Sequence, residues 1–220
     1  MKRNVSLEEI SDGRLYISND MVKADCGDCQ GCSACCHGMG ESIILDPLDI
    51  YRLTTNLEMS FETLMSQYIE LNVVDGIILP NLRMSGAGEA CGFLDSNGRC
   101  SIHAHRPGIC RLFPLGRYYE EDGFKYFLQT HECKKENRTK VKVKKWIDTP
   151  NLKQYESFVA DWHNFLMRME EHVEGADEAT AKQVSMFILQ TFYIKPYDRS
   201  VDFYLQYEER RAQAKMIFHV

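Results

Sequence analysis

Nine cysteines carry the chemistry of this chain, and five of them stand together near its start. Four follow one another at every third position and a fifth comes directly after the last: Cys26, Cys29, Cys32, Cys35 and Cys36. The other four are Cys91, Cys100, Cys110 and Cys133. Each C-x2-C step brings two sulfurs to one metal ion, so repeated steps wrap the chain around an ion or a cluster. The spacing therefore predicts a metal centre.

The type of ligand and its spacing narrow the choice of metal. Thiolates are soft ligands that select zinc, copper(I) or iron–sulfur clusters. Zinc sites usually pair two C-x2-C steps across a longer loop, whereas an uninterrupted run of steps is more typical of iron–sulfur proteins. The run therefore favours a [4Fe–4S] cluster over zinc, although Cys36 has no counterpart in the ferredoxin pattern and no proline follows the last cysteine.

Nine thiols exceed the four ligands of a single site, and two arrangements account for the surplus. In one, a second site takes most of its ligands from Cys91, Cys100, Cys110 and Cys133. In the other, both regions build one centre and the remaining thiols are buried or reactive. The sequence leaves both arrangements open.

Other polar residues near the cysteines are candidates for supporting roles. Four histidines accompany them: His37, His103, His105 and His131. Such a histidine is at least as often a hydrogen-bond donor to a metal ligand as a ligand itself. Arg106 and Arg111 could donate hydrogen bonds to sulfur or pair with an anionic substrate. Alternatively, Arg106-Pro107 fixes the entry to a helix that carries Cys110 and Arg111.

The composition describes a globular protein of a reducing compartment. Of its 220 residues, 44% are hydrophobic, enough to bury a core. No apolar stretch approaches the roughly 20 residues of a membrane span, and no secretory signal is recognisable at the start. We therefore expect a cytoplasmic location, no membrane partner, and thiols that are not joined in disulfides. The net charge of −6 argues against a nucleic-acid partner.

Capping and turn residues divide the cysteine region into short elements. Asp46 before Pro47 predicts the start of one helix. Ser60 predicts the start of another, which we expect to run to about Leu71. Residues 73–82 resemble strand material interrupted by glycine and proline.

Further along the region, Asn97-Gly98 predicts a tight turn. Residues 117–128 predict a hairpin. Lysines and valines alternate at 140–144, which indicates an exposed strand with its lysines in water.

The last third of the chain has a helical pattern and contains no cysteine. Thr149-Pro150 predicts the start of a helix that ends at Gly175. The next helix is expected to stop before Pro196, and a third to begin at Asp198. The apolar residues of this tail are expected to form core contacts or a surface for a protein partner.

These patterns predict an α+β protein with a small, irregular, metal-organised core of short strands, followed by a mainly helical C-terminal segment. We place a cysteine-cluster metal-binding domain at residues 1–148. The helical segment is expected at residues 149–220, packed on that domain.

The ordered segments resemble the CxxCxxCC cysteine-cluster family, also called YkgJ-type proteins, which are described as zinc- or iron-chelating domains. The resemblance runs from about Cys26 to Trp146 and rests on these matches: Cys29-x2-Cys32-x2-Cys35-Cys36, Cys91-Gly92-Phe93-Leu94, Gly98-Arg99-Cys100-Ser101-Ile102, the segment from Arg106 to Pro114, and Cys133. Cys26 is additional to the family pattern, and His103 stands where family members often have an aromatic residue.

The resemblance implies eight metal ligands: Cys29, Cys32, Cys35, Cys36, Cys91, Cys100, Cys110 and Cys133. In this region the chain is similar to flagellin lysine N-methylases, which use S-adenosylmethionine. The chain shows no motif for a methyl donor, however. Three functions therefore stand side by side. The first is a metal-binding protein that holds an iron–sulfur cluster or zinc. The second is an enzyme, either an S-adenosylmethionine-dependent methyltransferase or a cluster-dependent redox protein. The third is metal delivery or buffering.

Overall fold

The computed structural model of this protein describes residues 6–27, 29–30 and 32–219. Its α-helices are α1 (Leu7–Ile10), α2 (Pro47–Leu57), α3 (Phe61–Gln67), α4 (Gly108–Leu112), α5 (Val143–Ile147), α6 (Leu152–Val173), α7 (Glu178–Ile188) and α8 (Phe203–Phe218). Its strands are β1 (Ser11–Tyr16), β2 (Met21–Asp25), β3 (Ile69–Val74), β4 (Ile77–Leu82), β5 (Met84–Ser85), β6 (Ala90–Cys91), β7 (Leu115–Glu120), β8 (Gly123–Gln129) and β9 (Thr139–Lys142). Short strands in small separate sheets, with a helical C-terminal part, confirm the predicted α+β class.

The described residues divide into two compact units. The helical unit consists of residues 41–83 and 161–219, and the cysteine unit consists of residues 6–40 and 84–160. All nine cysteines belong to the cysteine unit. The division into domains of residues 1–148 and 149–220 stays a prediction.

The helical unit is built on two capped helices and a hairpin. Asp46 caps α2 by accepting a hydrogen bond from the Asp49 N–H, and the Asp49 side chain accepts one in return, so a full capping box is formed. Ser60 caps α3 in the predicted way. Strands β3 and β4 pair antiparallel around a turn in which Gly76 has φ +83°. The Ser185 hydroxyl of α7 accepts from the Ile78 N–H and so ties this hairpin to the helices of the unit.

A buried arginine holds the end of the π-helix Leu189–Ile194. The Arg210 guanidinium donates to the carbonyl oxygens of Thr191, Lys195 and Pro196 at 2.7–2.8 Å. It also lies 3.6 Å from the ring centroid of Tyr197. These contacts satisfy carbonyl groups that the helix end leaves without intrahelical partners.

The cysteine unit contains a three-stranded antiparallel sheet in the order β1-β8-β7 and a separate pair formed by β2 and β9. In the β7–β8 hairpin, Gly116 lies opposite Phe127. The glycine leaves room for the aromatic ring, which lies over it. Tyr126 of β8 is buried and donates to Glu156 of α6 at 2.8 Å.

Several element boundaries differ from the sequence predictions. Helix α3 ends at Gln67, and residues 69–71 belong to β3, which is paired with β4. Helix α6 begins at Leu152 after Asn151 with φ +49°, not at the Thr149-Pro150 cap. Helix α8 begins at Phe203 because Asp202, not Asp198, accepts the hydrogen bonds of its first turn.

Other predictions are confirmed. The turn at Asn97-Gly98 is present, with φ +69° at Gly98. The hairpin over 117–128 is formed by β7 and β8. The lysines at 140 and 142 are exposed on β9, although the chain turns into α5 at Val143. In the part of the chain that the structure describes, no helix is both long enough and apolar enough to cross a bilayer.

Candidate metal centre

All nine cysteines are half-buried, and none of them is joined in a disulfide. Half-buried thiols are shielded from bulk water yet still reachable by an ion.

The loop after β2 brings the first cysteines together. The Sγ atoms of Cys26 and Cys29 lie 3.6 Å apart. The chain makes this approach by two left-handed residues, Gly27 with φ +67° and Cys29 with φ +57°. A left-handed conformation is costly for a residue with a Cβ, so a non-glycine residue held there often serves a site. The Cys32 N–H then donates to the Cys29 carbonyl at 3.0 Å, which closes the next turn.

Cys133 is distant from this loop in the sequence, but its segment lies beside the loop in the structure. Strands β2 and β9 pair antiparallel with Asp25 opposite Thr139, so the residues after β2 and before β9 lie at the same end of the pair. Lys135 donates to the carbonyl of Gln30 at 2.9 Å. Burial raises the pKa of the Cys133 thiol, and the charges of Cys26 and Cys32 add to the rise. We call Cys26, Cys29, Cys32 and Cys133 the strand-end group.

Cys35 and Cys36 lie on a 3-10 helix, Ala34–Cys36, directly before an isolated β-bridge. The bridge pairs His37 with Ala90 antiparallel, and the Gly38 N–H donates to the Glu89 carbonyl at 3.0 Å. In this register the residue before His37 lies opposite the residue after Ala90. Cys36 therefore faces Cys91.

A tight turn places Cys100 beside Cys91. The Leu94 N–H donates to the Cys91 carbonyl at 3.0 Å, and Leu94 forms a β-bridge with Cys100. Asp95 stabilises the turn by accepting from the N–H groups of Asn97 and Arg99. We call Cys35, Cys36, Cys91 and Cys100 the bridge group.

Hydrogen bonding and burial shift the pKa values of these thiols in opposite directions. A hydrogen bond from Cys36 stabilises the Cys35 thiolate and lowers the pKa of Cys35 to about 7. The same bond raises the pKa of Cys36, and burial and the charges of Cys35, Cys100 and Cys91 raise it further. Burial raises the pKa of Cys29 to about 12, with Cys26 adding to the rise.

Burial also raises the pKa values of Cys91 and Cys100; the charges of Cys100 and Cys35 add to the rise at Cys91, and the charge of Cys35 adds to the rise at Cys100. The charge of Cys35 also adds to the rise in the pKa of Cys29.

Three arginines supply positive charge to the thiols, and Arg99 acts on Cys100 alone. The charge of Arg106 lowers the pKa values of Cys29, Cys35 and Cys100, and the charge of Arg138 lowers that of Cys133. Among the described residues, the Nε of Arg106 and the Nη1 of Arg138 are buried without a hydrogen-bond partner. Four thiolates around a zinc ion or an oxidised [4Fe–4S] cluster leave a net negative charge, which such donors would stabilise.

The residue types therefore suit a metal bound by thiolates, but the sulfur atoms do not surround a common metal position. Within residues 6–27, 29–30 and 32–219, no three Cys, His, Asp or Glu side chains are arranged as a ready metal site. The sulfurs of each group would have to move inward to share one ion or cluster.

The histidines, Arg111 and Cys110 are the other candidate residues from the sequence analysis, and the structure places them as follows. The His37 ring Nδ1 is 2.9 Å from the Ser33 carbonyl, and the His103 Nε2 accepts from Arg106 at 2.5 Å. His105 and His131 are exposed. Arg111 donates to the backbone carbonyls of Ala104 and Asp148, so it anchors α4, the helix that carries Cys110. Cys110 itself is half-buried on α4.

Comparison with known proteins identifies the cysteine unit. A family model described as "CxxCxxCC: Putative zinc- or iron-chelating domain" matches residues 28–142, more than half of the chain. The chain belongs to the CxxCxxCC family. No curated protein and no solved structure matches it.

The family match covers the eight cysteines that the resemblance singled out, from Cys29 to Cys133, and leaves out Cys26. Their roles as ligands stay a prediction. Sequence reasoning set Cys26 aside as additional, although it continues the three-residue spacing of the run. It did not single out Arg138, because no periodic signal marks this residue as a neighbour of Cys133.

Proposed function

We propose that this protein binds zinc or iron through cysteine thiolates and that the bound metal organises residues 26–133. The observation that carries the proposal is the approach of cysteine-bearing segments that are distant in the sequence. The Lys135–Gln30 hydrogen bond brings the segment of Cys133 to the loop after β2, and the His37–Ala90 bridge sets Cys36 opposite Cys91. Few regular elements hold these segments, since β5, β6 and the two bridges involve only one or two residue pairs each. A metal bound only by the folded chain contributes its binding free energy to folding.

An iron–sulfur cluster is the metal group we favour. The strand-end group has three cysteines on successive C-x2-C steps and a fourth from a distant segment, a ligand pattern that suits a cluster. One observation favours zinc instead. A tetrahedral zinc ion with Zn–S bonds of about 2.3 Å holds its sulfurs about 3.8 Å apart, and Cys26 and Cys29 lie at 3.6 Å.

Anaerobic purification of the full chain, followed by an absorption spectrum and assays of iron, zinc and sulfide, tests the proposal. Brown protein with iron and sulfide supports the cluster, and colourless protein with zinc supports the second choice. A full-length chain that carries neither metal, and takes up neither when reconstituted under reducing conditions, would overturn the proposal. An exposed-lysine variant, Lys140→Gln, is a matched control because it changes a residue of the same unit away from the thiols.

The enzyme and delivery hypotheses have less support. An open hollow at the start of α6 is lined by Asn151, Leu152, Lys153, Gln154 and Ser157, and it contains no cysteine. It therefore offers no argument for a methyl donor beside the thiols. Calorimetric titration of the metal-loaded protein with S-adenosylmethionine would test that role, and rapid transfer of the metal to a chelator would support delivery.

A further inference from the structure

We infer that two copies of this protein associate through the outer edge of β3, which pairs antiparallel with the same strand of the second copy. The inference goes beyond the proposed function, because this edge belongs to the helical unit and the β3–β4 hairpin contains no cysteine. It rests on the hydrogen-bond pattern of the hairpin, on the exposed side chains of β3 and on the fit of the strand to itself.

The register of the hairpin decides which backbone groups of β3 face away from β4. Val74 pairs with Ile77 around a two-residue turn, so this closing pair exchanges hydrogen bonds and every second pair along the ladder does the same. The N–H and C=O groups of Leu71 and Val73 therefore point away from β4. The residues that the structure describes form no hydrogen bond to these four groups.

Hydrogen bonds on the far side of β4 support this register. The Pro80 carbonyl accepts at 2.9 Å and the Ile78 N–H donates at 3.1 Å, in each case with a partner outside the hairpin. Pro80 lies opposite Leu71, and Ile78 lies opposite Val73. Residues directly opposite each other in an antiparallel pair either exchange hydrogen bonds or both direct their backbone groups away. Strand β4 thus has partners beyond its outer edge, whereas β3 presents its own groups to solvent.

The outer edge of β3 lacks several features that commonly keep a strand edge from pairing. Leu71 and Val73 are 37% and 69% exposed. The strand contains no lysine and no proline, and its pairing with β4 runs without a bulge. By contrast, β9 carries the exposed lysines Lys140 and Lys142. An apolar edge with free backbone donors and acceptors suits an added strand.

The occupant that fits this edge is a second copy of β3. When Asn72 of one copy lies opposite Asn72 of the other, Leu71 of each copy lies opposite Val73 of the other. Each of these two pairs exchanges two hydrogen bonds, so all the free groups of both strands are used. The facing side chains form apolar cross-strand pairs. Glu70, the one charged residue of β3, lies opposite Val74 of the other copy, so like charges do not meet.

Arg83 limits the free edge and so selects this register. Its guanidinium donates to the Ile69 carbonyl at 2.9 Å. A two-fold axis at Leu71 would set Val73 opposite Ile69 and would compete with that hydrogen bond. The axis at Asn72 leaves it intact. A pairing this short buries less than the roughly 1,600 Å² of a standard interface, so we expect a weak, reversible dimer with a Kd of about 10⁻⁴ M.

Sedimentation equilibrium of anaerobically purified full-length protein tests the association. Reducing conditions exclude dimers that are linked by disulfides. We expect the average mass to rise with concentration from the monomer value of 25.5 kDa. Val73→Lys should raise the Kd about tenfold, because the change occurs twice in the symmetric dimer and a lysine opposes pairing at a strand edge. Leu205→Lys, the matched control, changes a 57% exposed apolar residue of the same unit and should leave the Kd unchanged.

Three outcomes would overturn the inference. The first is a mass that stays at the monomer value up to about ten times the expected Kd. The second is a dimer that Val73→Lys does not weaken, since association would then use another surface. The third is equal weakening by Leu205→Lys, which would show a general effect of added charge.

Hydrogen exchange of the wild-type protein, followed by NMR, gives an independent test if Val73→Lys fails to fold. The amides of Leu71 and Val73 are free in the monomer and bonded in the dimer, so their exchange should slow as the protein concentration rises. The Val74 amide bonds to Ile77 in both states, and its exchange should not depend on concentration. Exchange at Leu71 and Val73 that is equally independent of concentration would contradict pairing through β3.

Discussion

Cys36 and Cys91 face each other across an antiparallel β-bridge, although they belong to distant parts of the sequence. The bridge is a single residue pair, His37 with Ala90, supported by one further hydrogen bond between Gly38 and Glu89. Isolated bridges of this size contribute little stability by themselves. A metal held by both cysteines would therefore act as the principal link between the two segments.

Removal of the metal is expected to destabilise the cysteine unit first. Structural zinc contributes about 10–16 kcal/mol in small peptides, so even a fraction of that value would dominate the stability of residues 26–133. Hydrogen exchange with and without chelator should show faster exchange at Gly38, Leu94 and Ser101, whose N–H groups donate to the carbonyls of Glu89, Cys91 and Phe93, whereas the amides of α7 should change little. Adding the metal back should restore protection. An unchanged thermal midpoint after complete metal removal would contradict the prediction.

Metal affinity is expected to rise with pH. The pKa values of Cys29, Cys36, Cys91, Cys100 and Cys133 are raised by burial and by neighbouring thiols, so these groups are protonated at pH 7 in the metal-free protein. Binding must displace their protons, which makes it weaker as the pH falls. Calorimetric titrations in buffers of different ionisation enthalpy count the released protons. Affinity that is constant between pH 6 and pH 8 would be incompatible with thiolate ligation.

Cys35 is expected to be the most reactive thiol of the metal-free protein. Its pKa is lowered to about 7 by the hydrogen bond from Cys36, so about half of it is thiolate at neutral pH. Alkylation of Cys35 should rise with pH through a midpoint near 7, whereas Cys29, with a pKa of about 12, should react slowly over the same range. In Cys36→Ala the donor is lost, so the Cys35 midpoint should move upward. The site of labelling is read by peptide mass spectrometry, and equal rates at both cysteines would refute the prediction.

The sequence could predict what depends on neighbouring residues and could not predict what depends on pairing at a distance. The caps at Asp46 and Ser60 and the Asn97-Gly98 turn are local, and all three are present. The His37–Ala90 bridge has no periodic signal because it involves one residue on each side. For this reason the spacing predicted a metal centre but left open how the nine thiols are divided.

The Gly116–Phe127 pair should be sensitive to a single added methyl group. A Cβ at residue 116 would lie 2.5 Å from Cε1 of Phe127 and closer still to Cζ. Gly116→Ala must displace the ring from the β7–β8 hairpin, and overpacking of this kind costs about 1–3 kcal/mol. Urea unfolding of Gly116→Ala measures the loss. In a Phe127→Ala background the same change should cost much less, and an equal cost in both backgrounds would show that the ring is not its cause.

Arg106 should strengthen metal binding without being a ligand. Its charge acts on Cys29, Cys35 and Cys100, and its Nε is a buried donor without a partner among the described residues. Because groups around metal ligands typically change affinity 10- to 100-fold, Arg106→Gln should weaken binding about tenfold while the number of bound ions stays the same. The exposed Arg14→Gln removes one charge from the same unit and is the matched control. Competition with a chelator of known affinity measures both variants. Equal affinities for Arg106→Gln and Arg14→Gln would mean that Arg106 only positions the segment before α4.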